Sequence, residues 1–371
     1  MGPQSSLGAA LALACAVAGG AAACGHPAGA GATAVVAAPD AAAASEIGGS
    51  TVADGGSTLD ASAVGAACTP AIVARADDQR YLLGLVIDHG SLYFSAGGGA
   101  ASPPTGDAGA DTLGVVRRLD LSSGAIEQLW SGVAVPYRLA TNPTNVYFET
   151  SQNGSLVRGG ILQRLTKDGN QQATLASWRD EGGCMALAAA PEGAYWTATN
   201  GGAGDLSLTA SDGGTTVLSS DLMCDGLVAL LGDTVYVTAG TKIVAVPRNG
   251  GATTVVWDSG GVELGAFAAS TRPRALFVAT RQQVMRVDPA TAEAAVVLDG
   301  RSFVVALATD GTAVYVSDQG AGVIVEVPLA GGPPSVLASG QPVPASLALD
   351  DHDVYWVEGQ SRTVRRCPKG L

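Results

Sequence analysis

Seven times along the chain, a short run of alternating apolar and small polar residues carries an aromatic side chain near its centre. The runs are SLYFSA (91–96), NVYFET (145–150), GAYWTA (193–198), TVYVTA (234–239), ALFVAT (275–280), AVYVSD (313–318) and DVYWVE (353–358). Period-two alternation over such lengths marks a β-strand with one or both faces buried. Each run follows a strand of small residues, such as MALAAA or ASLALD, across a turn rich in Asp, Gly and Asn. A third strand follows, reading VVRRLD, ILQRLT, IVAVPR, VMRVDP, VIVEVP or TVRRCP. It ends in a turn such as KDGN, RNGG or LAGG, whose glycine supplies a positive φ. A fourth strand of the type TTVLSS or PSVLASG completes the unit, and no helical periodicity of comparable length appears.

The aromatic positions are Tyr93, Tyr147, Tyr195, Tyr236, Phe277, Tyr315 and Tyr355, spaced by 54, 48, 41, 41, 38 and 40 residues. A four-stranded unit of about 40–45 residues is the size of one propeller blade. The pattern predicts an all-β chain, a seven-bladed β-propeller of four-stranded blades. Small residues suit the crowded innermost strand, and the aromatics fill the wedges between blades. A six-bladed ring, with the long first unit outside it, is the alternative. The seventh unit stops at TVRRCPKGL, one strand short, while CTPAIVAR at 68–75 matches PPSVLASG at 333–340 in pattern. The last blade is therefore expected to be closed by an N-terminal strand, with 68–76 pairing with 363–368. Such closure removes a free sheet edge.

Three segments follow along the 371 residues. Residues 1–39 carry no charged side chain, and the run LGAALALACAVAGGAAAC from Leu7 to Cys24 suits the apolar region of a secretory signal. Cleavage after Ala21-Ala22-Ala23 makes 1–23 a signal peptide. AAAC followed by Gly25 resembles a bacterial lipobox, which implies lipidation of Cys24 and an anchor that needs no spanning helix. Residues 24–67 are almost entirely Ala, Gly, Ser, Thr, Pro and Asp without an aromatic, and read as a disordered tether. Residues 68–371 form the propeller. The chain is thus expected to be exported and lipid-anchored to the bacterial cell envelope, or alternatively secreted and soluble.

Beyond Cys15 and Cys24, four cysteines remain. The repeat pairs Cys68 with Cys367 across the closure. It places Cys184 and Cys224 at matching points before the first strands of blades three and four. Both bridges are expected, in keeping with an oxidising compartment such as the periplasm. The cysteines lack the close spacing and supporting histidines of a metal centre.

Net charge is −13. The tether holds four acids and no base, leaving 29 acidic and 20 basic residues in the propeller. That balance argues against nucleic acid as a partner. No nucleophile elbow, zinc-protease helix, phosphate loop or dinucleotide fingerprint occurs. His89 and His352 lie in comparable turns and read as turn residues. No catalytic residue, metal site or cofactor is expected. In a propeller, the connections between blades share one rim with the turns between second and third strands, and that rim commonly binds partners. Here the connections place Arg80, Arg138, Arg179, Asp180, Glu181, Asp225, Glu263 and Arg301 there, a candidate binding rim of both charge signs.

The VYW-type strand with its following GTVxRVPxxGGxxxxLAxG pattern, clearest at 313–340 and 353–368, resembles the YWTD and NHL class of β-propellers. It is also similar to bacterial propeller lipoproteins of unassigned role. Tyr195-Trp196-Thr197 and Tyr355-Trp356 come nearest the YWTD motif, without its Asp. The resemblance spans 68–371. The resemblance implies the fold; the anchor, the long tether and the absence of a catalytic set point to a monomeric, surface-tethered binding or scaffolding propeller that takes a protein, peptide or glycan partner through the rim of blades one to three and touches a membrane only through its lipid. The alternative is an extracytoplasmic hydrolase or lyase with its site in the central channel.

Overall fold

A computed structural model describes residues 68–76, 81–97, 114–152, 155–178, 186–200, 203–222 and 227–370. Cys24, the expected Cys184–Cys224 bridge and the whole of 1–67 lie outside these residues. Every regular element described is a β-strand, and the strands form seven antiparallel sheets of four. Blade one spans 81–132, blade two 136–178, blade three 187–222 and blade four 228–258. Blade five spans 267–298, blade six 304–338, and blade seven combines 344–368 with Ala71–Arg75. The innermost strands pack in chain order around the ring, and that of blade seven (Pro344–Leu349) returns to that of blade one (Tyr81–Asp88). The first unit lies inside the ring, so the seven-bladed reading holds.

The closure forms as the pattern required. Ala71–Arg75 pairs with Thr363–Pro368, placing Ala71 opposite Arg366 and Arg75 opposite Thr363. Cys68 is bonded to Cys367 with a Cα–Cα distance of 6.2 Å, within the span a bridge tolerates. Arg365 also donates from Nη1 to the Pro70 carbonyl at 3.4 Å.

The core lies between the blades. The seven repeat-marking aromatics of the second strands, Tyr93 to Tyr355, are all buried. Tyr147 packs against Leu187, Ala189, Ala194 and Trp196 of blade three, and Tyr315 packs against Leu347, Val354 and Trp356 of blade seven. Where two blades meet near the axis, side-chain volume limits the approach. A Cβ on Gly84 would stand 2.8 Å from the Tyr137 carbonyl oxygen of blade two, so the absent side chain sets that spacing. Every outermost strand also carries a bulged residue, Leu129, Leu175, Leu218, Val256, Val297, Leu337 and Val73, and that of blade three has a second irregularity opposite Gly204 and Leu206. A bulge bends and twists the edge strand, which makes it a poor template for pairing with another chain.

Candidate functional site

The two rims are built differently. The lower rim carries the turns between first and second strands, which hold two or three residues in every blade. Three clasps fasten neighbouring blades there. Lys167 of blade two pairs with Asp88 of blade one and lies 6.0 Å from the Tyr93 ring centroid. Arg248 of blade four reaches Glu192 of blade three at 3.0 Å, 5.7 Å from the Tyr195 ring. Lys369 of blade seven reaches Asp310 of blade six at 2.9 Å, 5.6 Å from the Tyr315 ring. Two of these acids also accept phenol hydrogens: Tyr195 donates to Glu192 at 2.6 Å and Tyr315 to Asp310 at 3.2 Å. Burial pushes the Asp310 carboxyl up, but hydrogen bonds from Lys369, Thr312 and two backbone N–H groups outweigh it and hold it down to about 2. These charges are engaged in holding blades together. His89 and His352 sit in these turns, His89 against Asp88 at 2.7 Å, and no group of metal-ligating side chains occurs among the described residues.

The upper rim is the side on which the chain passes from blade to blade and from second to third strands. Of the eight candidate rim residues, Arg80, Arg179, Asp180, Glu181 and Asp225 lie outside the described residues. Glu263 is exposed on the connection from blade four to blade five. Arg301 is turned inward, with its side chain 2% exposed and Nη1 4.0 Å from Asp318. Asp318 in turn accepts from the backbone N–H groups of Ser302, Phe303 and Ala321 at 3.0–3.1 Å, fixing the connection into blade six. Glu358 does similar work in blade seven: one buried oxygen accepts from Ser361, from Thr363 at 2.9 Å and from Arg365 Nε at 2.9 Å.

Arg138 stands apart. It lies on the inner strand of blade two, and its Nη1 is 3.8 Å from Glu149 Oε2. Glu149 is fully buried, and neither of its oxygens has a hydrogen-bond partner. Burial pushes this carboxyl up to about 7 and lowers the Arg138 guanidinium, and the attraction between the two offsets this only in part. Glu149 stands two residues beyond Tyr147, on the face turned to blade three, where Trp178 and Trp196 stack with centroids 5.1 Å apart.

The repeat shows how unusual this pair is. In blades one, three and four the position of Glu149 is held by Ser95, Thr197 and Thr238. Their hydroxyls accept from the N–H of Gly84, Ala186 and Leu227 at 2.8–2.9 Å. Arg138 occupies the register position of those three donors. Glu149 was not among the sequence candidates. The signal was present in the aligned aromatic strands, whose fifth residue is ionisable only in blade two.

No family model matches the chain, and no curated protein matches it. Solved structures do. Virginiamycin B lyase from Staphylococcus aureus, in a catalytically inactive form with quinupristin, is 14% identical, with a TM-score of 0.61 over 81% of this chain and 98% of that one. The β-propeller domain of the trilobed protease from Pyrococcus furiosus is 9% identical, with a TM-score of 0.57 over 78% and 94%. YCF48 bound to D1 peptide is 12% identical, with a TM-score of 0.54 over 80% and 96%. At these identities the likeness establishes the propeller fold alone, a fold that hosts unrelated activities.

Proposed function

We propose that this chain is an envelope-tethered binding or scaffolding propeller that engages a protein, peptide or glycan partner through its upper rim, chiefly over blades one to three. The observation that carries this reading is the difference between the rims. The lower rim is tied by short turns and interblade ion pairs. On the upper rim, Glu263 is exposed and the buried Glu149 carboxylate meets Arg138 at 3.8 Å without an interblade ion pair of the kind that ties the lower rim. The attachment geometry agrees. Cys68 is bonded to Cys367 at the lower end of blade seven, where the Lys369 N–H meets the His352 carbonyl. A tether of residues 24–67, anchored through a lipidated Cys24, leaves from that rim and turns the upper rim away from the membrane. The single bridge described suits an oxidising compartment.

Charge reversal tests the assignment: Arg80→Glu, Arg179→Glu, Asp225→Lys and Glu263→Lys, each in the full chain, followed by cross-linked capture from envelope extracts. Loss of a specific partner in at least one rim variant, with capture retained in Asp351→Lys, an exposed lower-rim position in the turn between the first and second strands of blade seven, is the expected result. Capture that survives all four reversals overturns the upper-rim reading.

A further inference from the structure

Arg362 stands in a backbone conformation that its own side chain disfavours. The turns between second and third strands have the same length in blades six and seven: Asp318 pairs with Val323, and Glu358 with Thr363. The last residue of each turn is left-handed, with φ of 66° at Gly322 and 56° at Arg362. Its carbonyl does the same work in both blades, accepting from the Gln341 N–H at 2.9 Å and from the Ala76 N–H at 3.0 Å. Glycine meets that requirement without steric cost, and a residue with a Cβ does not. Blade seven therefore carries strain that blade six avoids, and the backbone role alone does not account for it.

The side chain supplies the reason. Its guanidinium lies over Tyr81, 5.1 Å from the ring centroid. Tyr81 opens the inner strand of blade one, so the contact crosses the seam where the ring closes. Arg118, Arg248, Arg365 and Arg366 each meet a carboxylate. Arg362 has the ring contact and, among the described residues, no ion pair or side-chain hydrogen bond. It is half-buried and already reaches solvent, so a ligand can meet it without displacing any group. An aromatic ring beneath a guanidinium steadies it and leaves its in-plane N–H fork open, and that fork matches a carboxylate. We propose that Arg362 binds the carboxylate of an Asp, Glu or C-terminal residue on a partner peptide at the upper rim, two guanidinium N–H groups donating to the two carboxylate oxygens. The propeller's 29 acids against 20 bases disfavour a doubly charged phosphate more than a singly charged carboxylate. Neighbouring Gln360 is exposed and offers a peptide backbone both a donor and an acceptor. This inference rests on the upper-rim reading, extends it to the seam between blades seven and one, and supplies it with a recognition element.

The test uses the full chain and an immobilised peptide array in which every Asp or Glu peptide has an Asn or Gln counterpart, each with a free and an amidated C-terminus. The wild type is expected to favour the acidic member of a bound pair by about tenfold. Arg362→Gly, which installs the residue of blade six, should lose that preference while its melting temperature stays level or rises, because the backbone is relaxed. Arg362→Lys, which keeps the charge without the fork, should lose most of it. No preference for acids in the wild type overturns the proposal, as does a preference that survives in Arg362→Gly. A preference that appears only in Asp77→Asn/Asp78→Asn overturns it too, since Arg362 then serves an acid of its own chain. Arg362-dependent capture of uronic-acid oligosaccharides in place of peptides overturns the peptide assignment. Capture that needs the rim charges but not Arg362 removes this arginine alone. Arg362-dependent capture that survives all four rim reversals removes the assignment to blades one to three alone.

Discussion

Breaking the Cys68–Cys367 bond should destabilise the fold by freeing the unfolded chain, because the bond closes a very long loop. The cysteines are separated by 299 residues. Chain-entropy scaling for a loop of that length gives about 5–6 kcal/mol of stabilisation at 25 °C, exerted on the unfolded chain. The folded state need not change: Ala71–Arg75 keeps its ladder to Thr363–Pro368, and Cys68 keeps its backbone bond to the Leu337 carbonyl at 3.1 Å. The assay is urea unfolding of the wild type and of Cys68→Ser/Cys367→Ser, each with and without reductant. With a urea slope of about 3 kcal/mol per molar, the midpoint should fall by roughly 1.5–2 M in the variant. Reductant should shift the wild type by the same amount and leave the variant unmoved. A midpoint shift below about 0.3 M, with the native spectrum retained, would refute the claim that this bridge constrains the ring.

Other outcomes follow from the buried charges. Glu149 holds its proton up to about 7 when folded and releases it lower when unfolded. The folded state therefore binds more protons between the two values, and stability should fall as pH rises through that window, by on the order of 3 kcal/mol. Glu149→Gln should flatten this slope in melting curves taken from pH 4 to 8, and an unchanged slope would count against the burial argument. Asp310 is held down to about 2, so its contribution is complete above the ordinary Asp range and is lost only as pH drops toward 2. Asp310→Asn should cost about 1–2 kcal/mol at pH 7, through the Lys369 pair and the Thr312 and Ala313 caps. A melting temperature within a degree of wild type would argue otherwise. Glu358→Ala strips three side-chain donors of their acceptor and leaves Arg365 without its carboxylate, so it should cost about 3–5 kcal/mol. Thermal unfolding reads the loss, and a small shift would mean that the network adds little.

Much of the architecture was legible because a propeller repeats itself. Tyr93, Tyr147, Tyr195, Tyr236, Tyr315 and Tyr355 each announce a second strand, and strand alternation assigns their neighbours to one face or the other. The missing last strand was visible as a deficit at one end and a surplus at the other. The clasps were not legible in the same way. Lys167 and Asp88 stand 79 residues apart, and Lys369 and Asp310 stand 59 apart. Nothing local links a charge in one turn to a charge in the preceding blade. Arg301 looked like a rim residue because it lies in a connection, yet its side chain turns inward toward Asp318.

The order of residues alone points to seven repeats, the closing strand and the partner of Cys68, and the structure places the first unit inside the ring. Each follows from a local pattern multiplied by a ring that must shut. What the ring does to individual charges is decided only in three dimensions. The desolvation of Glu149 depends on Tyr147 and Trp196 meeting across blades two and three. Its ion pair with Arg138, at 3.8 Å, depends on the two inner strands of blade two bringing the groups together. Burial and hydrogen bonding act over such distances, and sequence spacing does not encode them.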